Sequence, residues 1–249
     1  MQLMKSSNPM LNSDRIAKIS REAGLTGASG TLSVRGTAGR FGILTGLCIF
    51  SAFGSVAMHL PYGLALLGML AAAVSYWVAV FVPRLAQYLS PVYAVGEGMM
   101  LGLFSAYAET RFPGVVMIAL VATLSDCAAM FFAFATGFIQ ATERLKSFLF
   151  ISGIGLMITY FGVFILNLIT GNNYLTMGDH SILSIGVSIF AVIVSSLFLI
   201  LDFDNVLRAE GMADKKMEWF YGMGLLATVI WMYVEIVSLL VKLYGSSND

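Results

Sequence analysis

Long apolar runs separated by short polar breaks dominate this chain. The runs cover approximately residues 41–59, 62–83, 88–108, 113–137, 148–170, 182–201 and 219–244. About 20 apolar residues cross the hydrocarbon core of a bilayer as a helix, so the pattern predicts an all-α polytopic membrane protein with seven transmembrane helices. Six runs are plainly apolar; the seventh starts semi-polar, with Met217-Glu218-Trp219 and then Gly222 and Gly224. His59-Leu60-Pro61, Pro83-Arg84, Phe112-Pro113-Gly114, Gly171-Asn172-Asn173 and Gly211 supply the breaks. The loops are too short for a second domain. The expected plan is a disordered basic tail over 1–40, a membrane domain over 41–244 and a short tail over 245–249.

Composition points the same way. Hydrophobic residues make up 58% and charged residues 11%, against roughly 25% charged in soluble domains. Zero net charge says little here, because placement of Lys and Arg sets membrane topology. Lys5, Arg15, Lys18, Arg21, Arg35 and Arg40 lie in the tail, and Arg84, Arg144, Lys146, Arg208, Lys215 and Lys216 fall on the same side if the N-terminus is inside. Only Arg111 and Lys242 fall outside, so the split of 12 to 2 predicts a cytosolic N-terminus. Six crossings would instead leave the last segment on or beside the membrane. Cys48 and Cys127 sit in apolar runs and build no disulfide framework or zinc spacing. No nucleic-acid partner and no cofactor are expected.

Gly42-x-x-x-Gly46 and Gly98-x-x-x-Gly102 are small-residue spacings that let helices approach closely. Four acids fall inside spans, where an ionisable residue is costly and therefore a functional candidate: Glu97, Asp126, Asp202 and Glu235. At 1.5 Å per residue, Glu97 lies roughly 13 Å and Asp126 roughly 16 Å from the cytosolic ends of their helices. Asp202 is at the surface if its helix stops there, and roughly 13 Å deep if the helix continues to Gly211, an extension that an Asp204–Arg208 pair at i, i+4 would support. Glu235 is about 24 Å in when counted from Trp219, or about 15 Å from Leu225 if Gly222 and Gly224 break the helix. With the deeper choice for Asp202 and the later start for Glu235, all four acids share a layer in the cytosolic half, where they are candidates to exchange protons and, when ionised, to bind a hard cation such as calcium. Each could equally be a protonated group bonded within the bundle.

Several stretches together carry a family resemblance: Val95-Gly96-Glu97-Gly98-Met99-Met100-Leu101-Gly102 with Ser105, Phe112-Pro113-Gly114-Val115-Val116, Ala141-Thr142-Glu143-Arg144, Leu201-Asp202-Phe203-Asp204, and Glu218-Trp219 with Trp231-Met232-Tyr233-Val234-Glu235-Ile236. In order and spacing, from about residue 8 to 244, the chain resembles the Bax-inhibitor (TMBIM) family. Asn8-Pro9 suits its bacterial YccA/Bax-inhibitor-like branch. The resemblance implies a seventh helix enclosed by the other six and a pH-sensitive calcium leak. It implies that Asp202 and Glu235 form a proton-sensing pair that holds calcium transiently, and that Arg84 engages the pair to close the route. Glu235 stands where well-studied relatives have Asp. Glu97 and Asp126 would line the same route.

Other chemistries fit poorly. An intramembrane aspartyl protease needs Gly-x-Gly-Asp, whereas Met177-Gly178-Asp179 follows Thr176 in an outer loop. His59 and His180 sit at loop ends and read as water-exposed residues, which removes a rhomboid-like protease and a zinc site. No enzyme is expected. The rival reading is a non-conducting regulator that binds another membrane protein, such as a quality-control protease, through the basic tail and the loop from Arg208 to Lys216. The membrane implied by the branch is the bacterial inner membrane.

Overall fold

The computed structural model describes residues 30–172 and 174–246. Most of the expected basic tail, residues 1–29, lies outside the described residues, as does the C-terminal end from 247. Seven long helices follow in order: α1 (Val34–Ala57), α2 (Tyr62–Phe81), α3 (Ala86–Arg111), α4 (Val115–Ala135), α5 (Glu143–Thr170), α6 (Ile182–Ala209) and α7 (Met217–Ser246), with a 3₁₀ turn at Pro83–Leu85 between α2 and α3. Among the described residues there is no strand, only an isolated backbone bridge between Thr31 and Asp214.

All but α3 are long and apolar enough to cross a membrane. Gln87, Glu97 and Glu109 dilute the apolar character of α3, yet it packs along both α1 and α2. Large apolar side chains such as Phe50, Phe53, Phe131, Phe150 and Ile169 point outward, an arrangement stable only against an apolar medium. The protein is therefore a multi-pass integral membrane protein.

Local chemistry sets the helix ends. α1 begins at Val34, seven residues before the apolar run, because Ser33 caps it by accepting the Gly36 N–H at 3.0 Å. At the turn into α4, where Gly114 takes φ 91°, the Glu109 carboxylate accepts the N–H groups of Gly114 and Val116 at 2.6 and 3.1 Å. These donors would otherwise be unsatisfied at a helix start. α6 runs through Asp202 to Ala209, so the charges ride inside the helix and do not terminate it. Asp204 pairs with Arg208 at 2.6 Å and with Lys146 of α5 at 3.6 Å.

Glycines bring the helices together, though not all those expected. A Cβ on Gly98 or Gly102 would run into the Cys48 or Ala52 carbonyl oxygen of α1, and one on Gly96 into that of Gly68 in α2. Gly42 and Gly46 face open space, so that spacing is not a helix contact. Gly222 does not break α7 either; it meets Arg40 and Phe41 of α1, a close approach within a continuous helix.

Half of the most apolar stretch of α7 is buried, the largest share among the six spans. α7 packs on α6, α1, α3 and α4, whereas α5 leans mainly on α6. At the end where α7 starts, an extended strap runs beside the α6–α7 loop: Leu32 N–H donates to Ala213 at 2.8 Å, Gly211 N–H to Leu32 at 3.0 Å and Lys215 N–H to Gly30 at 3.1 Å.

Candidate functional site between α6 and α7

Seven residues make about two helical turns, so residues at this spacing share one face. On α7 that face carries Thr228, Glu235 and Lys242, and on α6 it carries Asp202, Ser195 and Ser188. The helices run antiparallel and bring the ends of the two rows together. Thr228 Oγ1 donates to Asp202 Oδ2 at 2.6 Å, and Lys242 Nζ donates to Ser188 Oγ at 2.8 Å. The same register sets buried Ser195 opposite Glu235, making a polar seam along an otherwise apolar interface.

Glu235 is 6% exposed. Tyr160 of α5 donates its hydroxyl to Oε1 and Oε2 at 2.9 and 3.0 Å, and Trp231 donates its indole N–H to Oε1 at 3.1 Å. Phe198 packs its ring on Trp231 with centroids 5.7 Å apart. Glu235 thus ties α5 to the bundle through Tyr160.

Asp202 and Glu235 are not a direct pair in this structure. Each carboxyl has its own donors, and Thr228, which holds Asp202, lies seven residues or roughly 10 Å along α7 from Glu235. The expectation of one shared layer fails for the same reason. Because α7 is continuous from Met217, Glu235 lies roughly 27 Å from its start, beyond the depth of the other three acids. Arg84 is exposed in the 3₁₀ turn and makes no ion pair among the described residues, so it does not reach either acid.

The other two acids divide. Glu97 lies within electrostatic reach of Cys48 and Tyr93, Tyr93 packs on Tyr76 with centroids 5.6 Å apart, and Tyr76 is within reach of Asp202. Asp126, on α4, has a buried Oδ2 without a hydrogen-bond partner among the described residues, and is not joined to the seam. No three His, Cys, Asp or Glu side chains converge as a metal site among the described residues.

Three residues escaped the sequence reading. Lys242, counted there as an outer flank, is 2% exposed and also donates to the carbonyls of Leu175 and Ser184 at 3.3 and 3.5 Å. Its spacing of seven from Glu235 was the available signal. His180, expected in water, has a buried Nδ1 and lies against Gly245. Glu218, 1% exposed, accepts from Ser33 N and Oγ at 3.3 and 3.2 Å and faces Arg40 at 3.9 Å. Arg40 also covers the Trp219 ring at 4.9 Å.

Beyond the spans, Asp179 accepts the Leu175 N–H at 2.8 Å and the Ser181 N–H at 3.0 Å. Partial burial pushes its carboxyl up, but these bonds, with the Ser181 hydroxyl and the Lys242 charge, outweigh it and hold it below its usual value.

Fold and seam define a helical, multi-pass membrane protein with ionisable groups built into a helix interface. The profile of the family described as Bax inhibitor 1 like matches residues 8–245. The chain belongs to the Bax-inhibitor family. A comparison with curated proteins finds no significant match.

Proposed function

We propose that the protein is a pH-sensitive leak for calcium or a similar cation, with the route along the α6–α7 seam. The observation that carries this reading is the heptad-spaced polar row itself. Buried polar groups add nothing to lipid solubility and cost free energy unless they are satisfied or used. Asp202 and Glu235 act as two successive stations, not as one shared-proton pair. Protonation turns a carboxylate acceptor into a group that also donates, so it rearranges the Thr228 contact at one station and the Tyr160 and Trp231 contacts at the other. When ionised, each offers the oxygen ligands that a hard cation prefers. α7 is the central helix of this arrangement, with the other six around it in seven crossings. The N-terminus faces the cytosol, and the membrane is the bacterial inner membrane of the YccA/Bax-inhibitor-like branch.

Purified protein in liposomes should pass calcium at a rate that depends on pH between 5 and 8, and Asp202→Asn or Glu235→Gln should flatten that dependence. Wild-type protein that moves no cation at any of these pH values would remove the leak reading.

A second reading is supported by the strap. Residues 30–32 pair with the α6–α7 loop, which carries Lys215 and Lys216 just after Arg208, and this end of the molecule would serve, together with the basic tail, as the contact surface for another membrane protein such as a quality-control protease. Deleting residues 1–29 should then abolish co-purification with that partner and leave calcium flux unchanged.

A further inference from the structure

Lys242 is the least expected charge in the molecule. It lies in the last two turns of α7, 2% exposed, on the same face as Thr228 and Glu235. Three oxygens surround its ammonium: Ser188 Oγ at 2.8 Å, the Leu175 carbonyl at 3.3 Å and the Ser184 carbonyl at 3.5 Å. Ser184, itself fully buried, adds a hydroxyl with no hydrogen-bond partner among the described residues. Oxygen atoms converging in this way are the donor set of a site for a hard cation. Here the cation is an ammonium tethered to the helix.

Acids lie on both sides of this ammonium. Asp202 and Glu235 lie on the inner side and Asp179 on the outer side, with Glu235 and Asp179 near enough for their charges to act on Lys242. Beyond Lys242 the His180 ring lies against Gly245, where a Cβ would run into it. A mobile cation moving along the row from Glu235 would meet a fixed positive charge already holding the oxygens it needs. Its repulsion acts twice as strongly on a divalent as on a monovalent ion, since the interaction scales with the product of charges. Fixed positive groups of this kind are the electrostatic barriers by which pores reject cations.

We propose that the Lys242 ammonium is a built-in cation that plugs the outer end of the α6–α7 seam and sets its resistance to divalent ions. This rests on the reading of the seam as a cation route. Neutralising the lysine frees the oxygens of Ser188, Ser184 and Leu175 for a mobile ion.

The test uses the full chain in liposomes loaded with calcium or with potassium, comparing wild type, Lys242→Met and Lys242→Arg after each passes size exclusion as a single species. Lys242→Met should raise calcium flux by about tenfold or more, the scale on which a local charge changes ion concentration in a cleft, and should raise potassium flux less. Lys242→Arg should stay near wild type. If Lys242→Met does not fold, Lys242→Gln removes the charge while keeping a hydrogen-bonding end for Ser188. A pH-dependent wild-type leak that neither neutral variant increases overturns the plug and leaves the leak standing. A silent wild type with a conducting neutral variant supports the plug and overturns the leak as the native activity. Silence in both overturns both.

Discussion

The Thr228 hydroxyl donates to Asp202 Oδ2 at 2.6 Å, joining α7 to the C-terminal part of α6. This bond and the Lys242–Ser188 bond share one register of the two helices, which sets Glu235 opposite Ser195. The Thr228 bond is also the only hydrogen bond to the Asp202 side chain among the described residues. Thr228→Val keeps the shape and removes the donor. The loss of a bond to a partly buried carboxyl should cost about 1–3 kcal/mol, read as a lower thermal midpoint in detergent. Thr228→Ser should restore most of it. A Thr228→Val protein as stable as wild type would show that the register is held by apolar packing alone.

Gly36 and Glu218 make the second tie, where the first turn of α1 meets the first turn of α7. A Cβ on Gly36 would collide with the Glu218 carboxyl, which is held in place by Ser33. Gly36→Ala should therefore destabilise by about 1–3 kcal/mol, the usual cost of overpacking. In a Glu218→Ala background the same change should cost much less, because the obstructing group is gone. Equal costs in the two backgrounds would place the strain elsewhere.

The α1–α3 contact depends on bare backbone. Gly98→Ala and Gly102→Ala each push a methyl into a carbonyl oxygen of α1, which cannot swing aside as a side chain could. Both should lower the unfolding midpoint, whereas Gly42→Ala and Gly46→Ala, which face open space inside α1, should leave stability unchanged or raise it by up to about 1 kcal/mol. A thermal scan of the four variants separates the two spacings.

Asp179 gives a pH signature outside the spans. Its carboxyl is held below the ordinary aspartate value of 3.8, so its contribution to stability is fully present above that value and is lost as pH falls through the lower folded one. Asp179→Asn should reduce the unfolding midpoint at pH 6. The gap between variant and wild type should close as pH drops below 3.8. A gap that stays constant down to pH 2 would show that the residue works through shape, not charge.

Helix number, helix type and the membrane setting were legible in the apolar runs, because a bilayer imposes length and composition directly on each span. Two features were misplaced by local logic. Gly222 and Gly224 look like a break because glycine weakens an isolated helix; α7 nevertheless runs through both, with Gly222 packed on Arg40 and Phe41 and Gly224 facing open space. Lys242 looks like an outer flank because it lies near a chain end, but the last turns of α7 are enclosed by Ser184, Ser188 and Leu175.

The acids themselves stand out in any reading of the chain, since a carboxylate inside an apolar run is visible without coordinates. Spacing along one helix is also written in the sequence, and the interval of seven linking Thr228, Glu235 and Lys242 could have been read there. Which residues of another helix meet that row could not, because the register of two packed helices depends on contacts between segments distant in the chain. Tertiary structure alone therefore separated Asp202 from Glu235, left Arg84 exposed and away from both, and gave Glu235 to Tyr160 and Asp202 to Thr228.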